Sequence, residues 1–305
     1  MVNLMNNTLL GIDWGTSNRR AYLVGPDGAC LQRHEDGQGM LAVGGDFAGS
    51  LAALRSSMGV DAAVPLVMAG MVGSSSGWQE VPYLDIAVPL AGLAAHLAPV
   101  SGHPGCFIVP GYCVRDGAVD VMRGEETQLL GAVQQGVRDG WMVLPGTHSK
   151  WVYLRDGAVA QLATYMTGEL FAMLASGGTL AAVMAEGDDD AAAFEAGMQE
   201  ARRGAPLSNA LFGVRARVVS KAMPAAQARS FVSGLLIGTE FVAAQSQVAA
   251  DAAQTGTLAG TMTIIGSPAL GERYAGAARH FGMQARVLDP DQVFLSALSC
   301  FFTKA

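Results

Sequence analysis

The chain has 305 residues, half of them hydrophobic and 15% charged, with a net charge of −7. That balance excludes the basic surface a nucleic acid or an anionic membrane would need. No apolar stretch reaches the ~20 residues of a membrane span before Gly, Glu186 or Glu240 interrupts it. Cys30, Cys106, Cys113 and Cys300 show no C-x-x-C spacing, and no basic stretch followed by an apolar run opens the chain. The expectation is a soluble, reduced, cytoplasmic protein.

In chain order, Leu9–Asp13 and Arg20–Val24 read as two strands of a meander, followed by the turn Gly25-Pro26-Asp27-Gly28. Phe47 to Met58 has helical spacing, and Pro65–Met71 reads as a buried strand leading into the Gly-Ser loop 73–77. Pro82 and Pro89 exclude one long helix over Gly77–Pro89. Cys106–Pro110 is the next strand, and Glu125 to about Val137 a helix with Leu129, Leu130 and Val133 on one face. Thr167-Gly168-Glu169 opens an apolar helix through Leu174. Asp188–Asp190 caps the helix carrying Phe194 and Met198. A long helix holds Phe231, Leu235, Ile237, Phe241 and Val242. Strand Thr261–Ile265, turn Gly266-Ser267-Pro268 and helix Gly271–His280 follow, and then strand Arg286–Leu288 and helix Gln292–Phe302. Strands giving way to alternating strand and helix, twice over, predict an α/β protein.

The informative feature is a repeat. Leu10-Gly11-Ile12-Asp13-Trp14-Gly15-Thr16-Ser17-Asn18 returns as Val143-Leu144-Pro145-Gly146-Thr147-His148-Ser149. In each copy an apolar strand, a Gly-Thr turn, a second strand and an Asp-Gly turn follow one another. Two such hairpins, each opening about half the chain, suggest two similar halves facing each other across a cleft. Turn backbones of this kind can cradle phosphates. The phosphate candidates are therefore Gly15, Thr16 and Ser17 in one turn and Gly146, Thr147 and His148 in the other. Asp13 has Leu144 as its counterpart, so only the first turn keeps a carboxylate for Mg²⁺, which favours carboxylates beside phosphate oxygens. An ordinary strand turn with Asp as its cap is the alternative.

Glu125 and Glu126 open the helix after Gly124. Either could be the base that positions an acceptor hydroxyl for phosphoryl transfer; either could merely suit a helix N-terminus. Gly266, Ser267 and Pro268 form a strand-to-helix turn that could admit adenine, or a plain turn. Gly234 and Gly238 are unusual inside a helix and fit nucleotide approach or helix–helix contact; Gly234 is carried as an adenosine candidate. Gly73-Ser74-Ser75-Ser76-Gly77 matches a nucleophile elbow, but Trp78 to Pro82 does not read as the helix that should follow, and His96, His103, His148 and His280 form no obvious triad. Neither G-x-x-x-x-G-K-[ST] nor a helix-opening G-x-G-x-x-G is present, so ATP would have to bind by another scheme.

These strings resemble a known family. Asp13-Trp14-Gly15-Thr16-Ser17-Asn18, Asp120-Val121-Met122-Arg123-Gly124-Glu125-Glu126-Thr127-Gln128, Leu144-Pro145-Gly146-Thr147-His148-Ser149-Lys150-Trp151 and Met166-Thr167-Gly168-Glu169-Leu170-Phe171 are similar to the 2-dehydro-3-deoxygalactonokinases. That family sits within the actin, sugar-kinase and heat-shock ATPase superfamily. The likeness extends from residue 9 to about 300. It implies two ribonuclease-H-like lobes with ATP in the cleft, Mg²⁺, and phosphorylation of the terminal hydroxyl of 2-dehydro-3-deoxy-D-galactonate in galactonate breakdown. Residues 1–137 with the helix 290–305 would form the sugar-acid lobe, and 138–289 the nucleotide lobe. The catalytic Asp of related sugar kinases aligns with Glu126. On the sugar side Ser74, Trp78 and Tyr83 are expected, with Arg20 or Arg123 facing the substrate carboxylate. The loop Gly73-Ser74-Ser75-Ser76-Gly77-Trp78 departs from the expected Gly-Ser-Arg-Gln-Gly-Trp. Homo-oligomer formation stays open, as does a non-kinase ATPase regulator of the same fold.

Overall fold

A computed structural model describes residues 8–184, 189–255 and 261–302, with only the backbone described over 247–255. The chain forms two compact units. The first takes in the described residues of Met1–Asp139, Tyr153–Leu162 and Asp289–Ala305, the second those of Gly140–Val152 and Ala163–Leu288.

In the first unit the strands β1 (Leu9–Trp14), β2 (Arg19–Val24) and β3 (Cys30–Asp36) form an antiparallel meander. The helices α1 (Met40–Val43) and α2 (Phe47–Met58) follow, then β4 (Leu66–Gly70). Next come β5 (Leu84–Asp85), β6 (Ala98–Pro99), β7 (Cys106–Ile108), β8 (Tyr112–Val114) and β9 (Asp120–Met122), before helix α3 (Glu125–Gln134). The main sheet has the order β3-β2-β1-β4-β7-β6, with β1–β4 and β4–β7 parallel. A small sheet β5-β8-β9 lies apart from it. β4 is buried throughout and β1 nearly so, which is why both read as continuous apolar runs. β3 is mostly exposed at the sheet edge; its polar Gln32-Arg33-His34-Glu35-Asp36 hides it from a hydrophobic reading and blunts the edge. Asp46 caps α2, accepting from the Gly49 N–H at 2.8 Å. The core gathers Leu10, Ile12, Trp14, Leu54, Leu66, Met68 and Ile108.

The second unit repeats the plan. Its strands are β10 (Gly140–Leu144), β11 (Ser149–Arg155) and β12 (Ala158–Tyr165), the outer end of the β11–β12 hairpin being counted with the first unit. Helices α4 (Thr167–Ser176), α5 (Gly178–Ala181), α6 (Ala191–Arg202), α7 (Leu207–Val219) and α8 (Ala225–Thr255) come before β13 (Met262–Ile265), α9 (Pro268–His280) and β14 (Ala285–Leu288). The sheet order is β12-β11-β10-β13-β14, with β10–β13 and β13–β14 parallel. This matches β3-β2-β1-β4-β7 strand for strand. Leu180, Val183, Ala193, Phe231 and Leu235 centre a helical core. Asp190 caps α6 through the Ala193 N–H at 2.9 Å; Asp188, also expected there, lies outside the described residues. Finally α10 (Pro290–Phe302) returns to the first unit, burying Val293, Phe294 and Leu298 on α3 and β1. Among the described residues no helix is long and apolar enough to cross a membrane.

Candidate active site

The first Gly-Thr turn is closed by the Gly15 N–H donating to the Asn18 carbonyl at 2.9 Å. The start of α1 lies on it: Met40 N–H reaches the Gly15 carbonyl at 2.9 Å and Leu41 N–H the Thr16 carbonyl at 3.1 Å. Thr16 and Ser17 are exposed at its tip. Asp13, at the end of β1, accepts from Arg20 Nη2 at 2.5 Å through Oδ2. Burial pushes the Asp13 carboxyl up, and the Arg20 charge opposes that shift.

Two glycines bring the helix α3 to this place. Gly70 ends β4 at φ +95° and Gly124 precedes α3 at φ +106°, a backbone region that favours glycine. A Cβ on Gly124 would stand 3.2 Å from the Gly70 Cα. A Cβ on Gly70 would stand 2.7 Å from the Trp14 carbonyl oxygen and 3.4 Å from Asp13 Oδ1. The close approach therefore brings the start of α3 to the end of β4, whose Gly70 borders Asp13. Glu126 is fully buried; the Gly124 N–H donates to its two oxygens at 3.0 and 2.7 Å, and Thr127 Oγ1 lies 3.3 Å away. Burial, helped by the charge of Glu125, pushes the Glu126 carboxyl up to about 8, against the pull of the Gly124 N–H and Arg123. Glu125 is half-buried and takes the Arg123 N–H at 2.9 Å. Both carboxylates thus satisfy helix N-terminal donors, whatever else they do.

Arg123 is 9% exposed. Its Nη2 donates to the Val81 carbonyl at 2.7 Å and its guanidinium lies 4.2 Å from the centre of the Tyr83 ring. Its Nε and Nη1 are buried with no hydrogen-bond partner. Unpartnered buried donors on a cation are costly and mark a place for an anion. Gly73 borders them, since a Cβ there would come within 2.9 Å of Nη1. The neighbouring Ser74 donates from Oγ to the Met71 carbonyl at 2.8 Å. The structure thus gathers Asp13, the Ser74 loop, Tyr83, Arg123, Glu125 and Glu126 in one region of the first unit.

Two sugar-side candidates have partners of their own within the first unit. Arg20 is held by Asp13 and, at 3.4 Å, by Asp291. It pairs with these two carboxylates of the chain itself, the alternative to a role in facing the substrate. Trp78 stacks on Phe47 at 6.2 Å, meets His103 edge-on at 4.8 Å and packs, partly buried, on the core of the first unit. The nucleophile-elbow motif also fails in space, because β4 leads into a single 3₁₀ turn, Met71–Gly73, and a loop, with no helix behind the serines.

The second turn is built alike. Gly168 lies so close that a Cβ would overlap the Gly146 carbonyl, and the Glu169 N–H donates to the Thr147 carbonyl at 2.9 Å. His148 Nε2 lies 2.5 Å from Glu169 Oε2. A cavity of about 460 Å³ opens here, lined by Gly146, Thr147, Gly168, Glu169, Met173 and Leu270, within the size range of small-molecule sites. A Cβ on Gly266 would come 3.0 Å from Pro145 Cγ, so the Gly266-Ser267-Pro268 turn borders the same strand end. Gly234 does not belong with it. A Cβ there would overlap the Phe194 carbonyl of α6, so this glycine serves the α6–α8 crossing and is removed from the adenosine candidates. Sequence reasoning missed the buried Glu240 of α8, which accepts from Ser149, Trp151, Thr167 and Tyr274. The signal was a lone carboxylate in an otherwise apolar helical run.

Two sheets of one strand order, each with a Gly-Thr turn under a helix start, define an actin-like ATPase fold of the sugar-kinase type. The activator of the 2-hydroxyisocaproyl-CoA dehydratase from Clostridium difficile shares that fold at a TM-score of 0.50 and 11% identity, over 97% of this chain and 95% of that one. The family model for 2-keto-3-deoxy-galactonokinase matches residues 13–300, and the chain belongs to this family. A Rhizobium meliloti (strain 1021) protein described as a 2-dehydro-3-deoxygalactonokinase is 36% identical over 94% of both chains. The 2-dehydro-3-deoxygalactonokinase of Escherichia coli (strain K12) is 32% identical over 96% of this chain and 97% of its own. A crystal structure of a Sinorhizobium meliloti protein described by the same activity has a TM-score of 0.87 at 34% identity, covering 95% of this chain and 97% of that one.

Proposed function

We propose that the protein transfers the γ-phosphoryl group of ATP to the terminal 6-hydroxyl of 2-dehydro-3-deoxy-D-galactonate, in galactonate catabolism. The observation that carries the acceptor half is Arg123: a buried guanidinium with two unpartnered N–H groups, stacked on Tyr83, two and three residues before a pair of carboxylates. The guanidinium is suited to the acid's carboxylate, Ser74 and Tyr83 to its hydroxyls. The first unit would take the sugar acid and the second the nucleotide. Backbone N–H groups of Thr16 and Ser17 and of Gly146, Thr147 and His148 would serve the phosphates, Gly15 would shape the first turn through its own bond to Asn18, and the Gly266-Ser267-Pro268 turn would take the adenosine.

Asp13 fits Mg²⁺ carried in by the nucleotide. Its Oδ1 is left open beside Gly70 while Oδ2 is held by Arg20. Among the described residues no group of three His, Cys, Asp or Glu side chains could hold a resident metal. One carboxylate with phosphate oxygens and water is the habit of Mg²⁺, which would neutralise charge on the transferring group.

Glu126 is the proposed base for the hydroxyl proton. Its complete burial favours a second reading, in which half-buried Glu125 takes the proton and Glu126 holds the Gly124 turn. A coupled ADP-release assay over a panel of 2-keto-3-deoxy sugar acids tests the function. Turnover should be highest with the galactonate-derived acid. ATP binding with background ADP release for every acid would point to a regulator instead.

A further inference from the structure

We propose that Glu240 is a positioning residue for the nucleotide phosphates, holding the second Gly-Thr turn in its binding shape from beneath. The inference rests on the reading that this turn takes the phosphates of ATP. Glu240 lies in the middle of the 31-residue helix α8 and is 1% exposed. Its Oε1 accepts from Ser149 Oγ at 2.7 Å and Trp151 Nε1 at 2.5 Å, its Oε2 from Thr167 Oγ1 at 2.6 Å and Tyr274 Oη at 3.0 Å. All four partners are neutral donors.

Where those donors sit is what matters. Ser149 is the first residue after the Gly146-Thr147-His148 turn and starts β11. Thr167 is the first residue of α4 and precedes Gly168 and Glu169, which lie on the turn backbone. One carboxylate therefore pins both the strand leaving the turn and the helix start covering it. Through Tyr274 it also pins α9, which begins at the Gly266-Ser267-Pro268 turn. Phe231, Leu235, Ile237 and Phe241 on the same helix are buried and apolar, so a leucine at 240 would suit ordinary packing and avoid desolvating a charge. A carboxylate gives what leucine cannot: two acceptor atoms that fix four hydroxyl and indole donors, and with them the spacing of three elements. Burial pushes its carboxyl up while the four donors hold it down.

The test is calorimetric titration of the full-length protein with a non-hydrolysable ATP analogue, alongside KM for ATP and for the sugar acid. Thr167→Val removes one hydroxyl and should weaken the analogue about tenfold, with the sugar-acid KM within about twofold of the parent. Glu240→Leu should weaken it about a hundredfold. Glu240→Gln should restore near-parent affinity, because the Thr167 and Tyr274 hydroxyls can turn to accept from the amide while its oxygen keeps Ser149 and Trp151. If Thr167→Val and Glu240→Leu lower only the Tm, or raise both KM values equally, Glu240 is a packing residue and the proposal falls. If Glu240→Leu does not fold, Thr167→Val decides alone. A parent that releases ADP while Thr167→Val binds the analogue normally overturns only this inference. A parent that binds no analogue overturns the nucleotide reading with it.

Discussion

The two Gly-Thr turns share a backbone and differ in their charges. Each is covered by a helix start, α1 on the first and α4 on the second, and each follows an apolar central strand. The first has charged side chains about it: Asp13 with Arg20, and Glu125 and Glu126 brought in by the Gly70–Gly124 contact. The second has Glu169 against His148 at its rim and keeps a buried carboxylate underneath, at Glu240, surrounded by neutral donors. A shared backbone can hold phosphate in both places through N–H groups. Charge that must meet a metal or a moving proton belongs in one place only. Under the proposed function, the difference amounts to a division of labour, with chemistry on the first unit and nucleotide holding on the second.

That division can be broken by substitutions in the first unit. The largest effect belongs to the base. Glu126→Gln should lower kcat by about 10²–10⁴-fold with ATP affinity unchanged. Since the Glu126 carboxyl is pushed up to about 8 and must be ionised to accept a proton, parent kcat should rise with pH through about 8. Loss of that limb in Glu126→Gln would mark it as the base; loss of activity in Glu125→Gln alone, with the limb absent in the parent, would move the role one residue back. The same group has a stability signature. Its folded value lies above the ordinary carboxylate value of 4.5, so its contribution is fully present below that value and is lost as pH rises through about 8. Thermal unfolding of Glu126→Gln should therefore depend less on pH over that window.

Next in size is Asp13→Asn, which should cost about a hundredfold in kcat and shift the Mg²⁺ dependence upward, while sugar-acid KM stays near the parent value. Unchanged turnover at saturating Mg²⁺ would remove Asp13 from the chemistry and with it the asymmetry of the two turns. The smallest effect separates the arginines. Arg123→Gln should raise KM for the acid about tenfold and leave KM for ATP alone. Arg20→Gln should instead act like a weaker Asp13→Asn, on kcat, because Arg20 holds Asp13. Equal shifts in both KM values from Arg123→Gln would show that its unpartnered N–H groups do not meet the substrate.

Much of this arrangement was legible in the residues alone. The repeat of Asp13-Trp14-Gly15-Thr16 as Leu144-Pro145-Gly146-Thr147 marked two similar halves, which the structure gives as two sheets of one strand order, and Phe47–Met58 is a helix from end to end. The polar edge strand β3 was not legible, because an exposed strand carries no alternation. Nor was α7, which buries little beyond Ala210 and Val214. At the site, residue type and spacing picked out Glu125 and Glu126, and the family resemblance added Arg20 and Arg123. They could not tell Arg123, stacked on Tyr83 with two idle donors, from Arg20, held by Asp13 and Asp291. That choice depends on α10, some 270 residues away along the chain. Gly234 shows the same limit: helix crossing and ligand approach ask for the same missing side chain, and only the position of Phe194 separates them.

The return of α10 to the first unit has a kinetic consequence. Asp291, in its first turn, accepts from Tyr22 at 2.7 Å and from Arg33 at 2.9 Å, and meets Arg20, the partner of Asp13. All of the second unit is synthesised after α3 and before α10. At roughly 5–20 residues per second, the first sheet waits on the order of ten seconds on the ribosome for the helix that covers it and for the carboxylate that orients Arg20. The inserted unit can fold during that delay. A released chain truncated after residue 289 should then protect the second sheet from protease while β1 and α3 are still cut, so the unit that holds Asp13, Glu125 and Glu126 is the last to be finished.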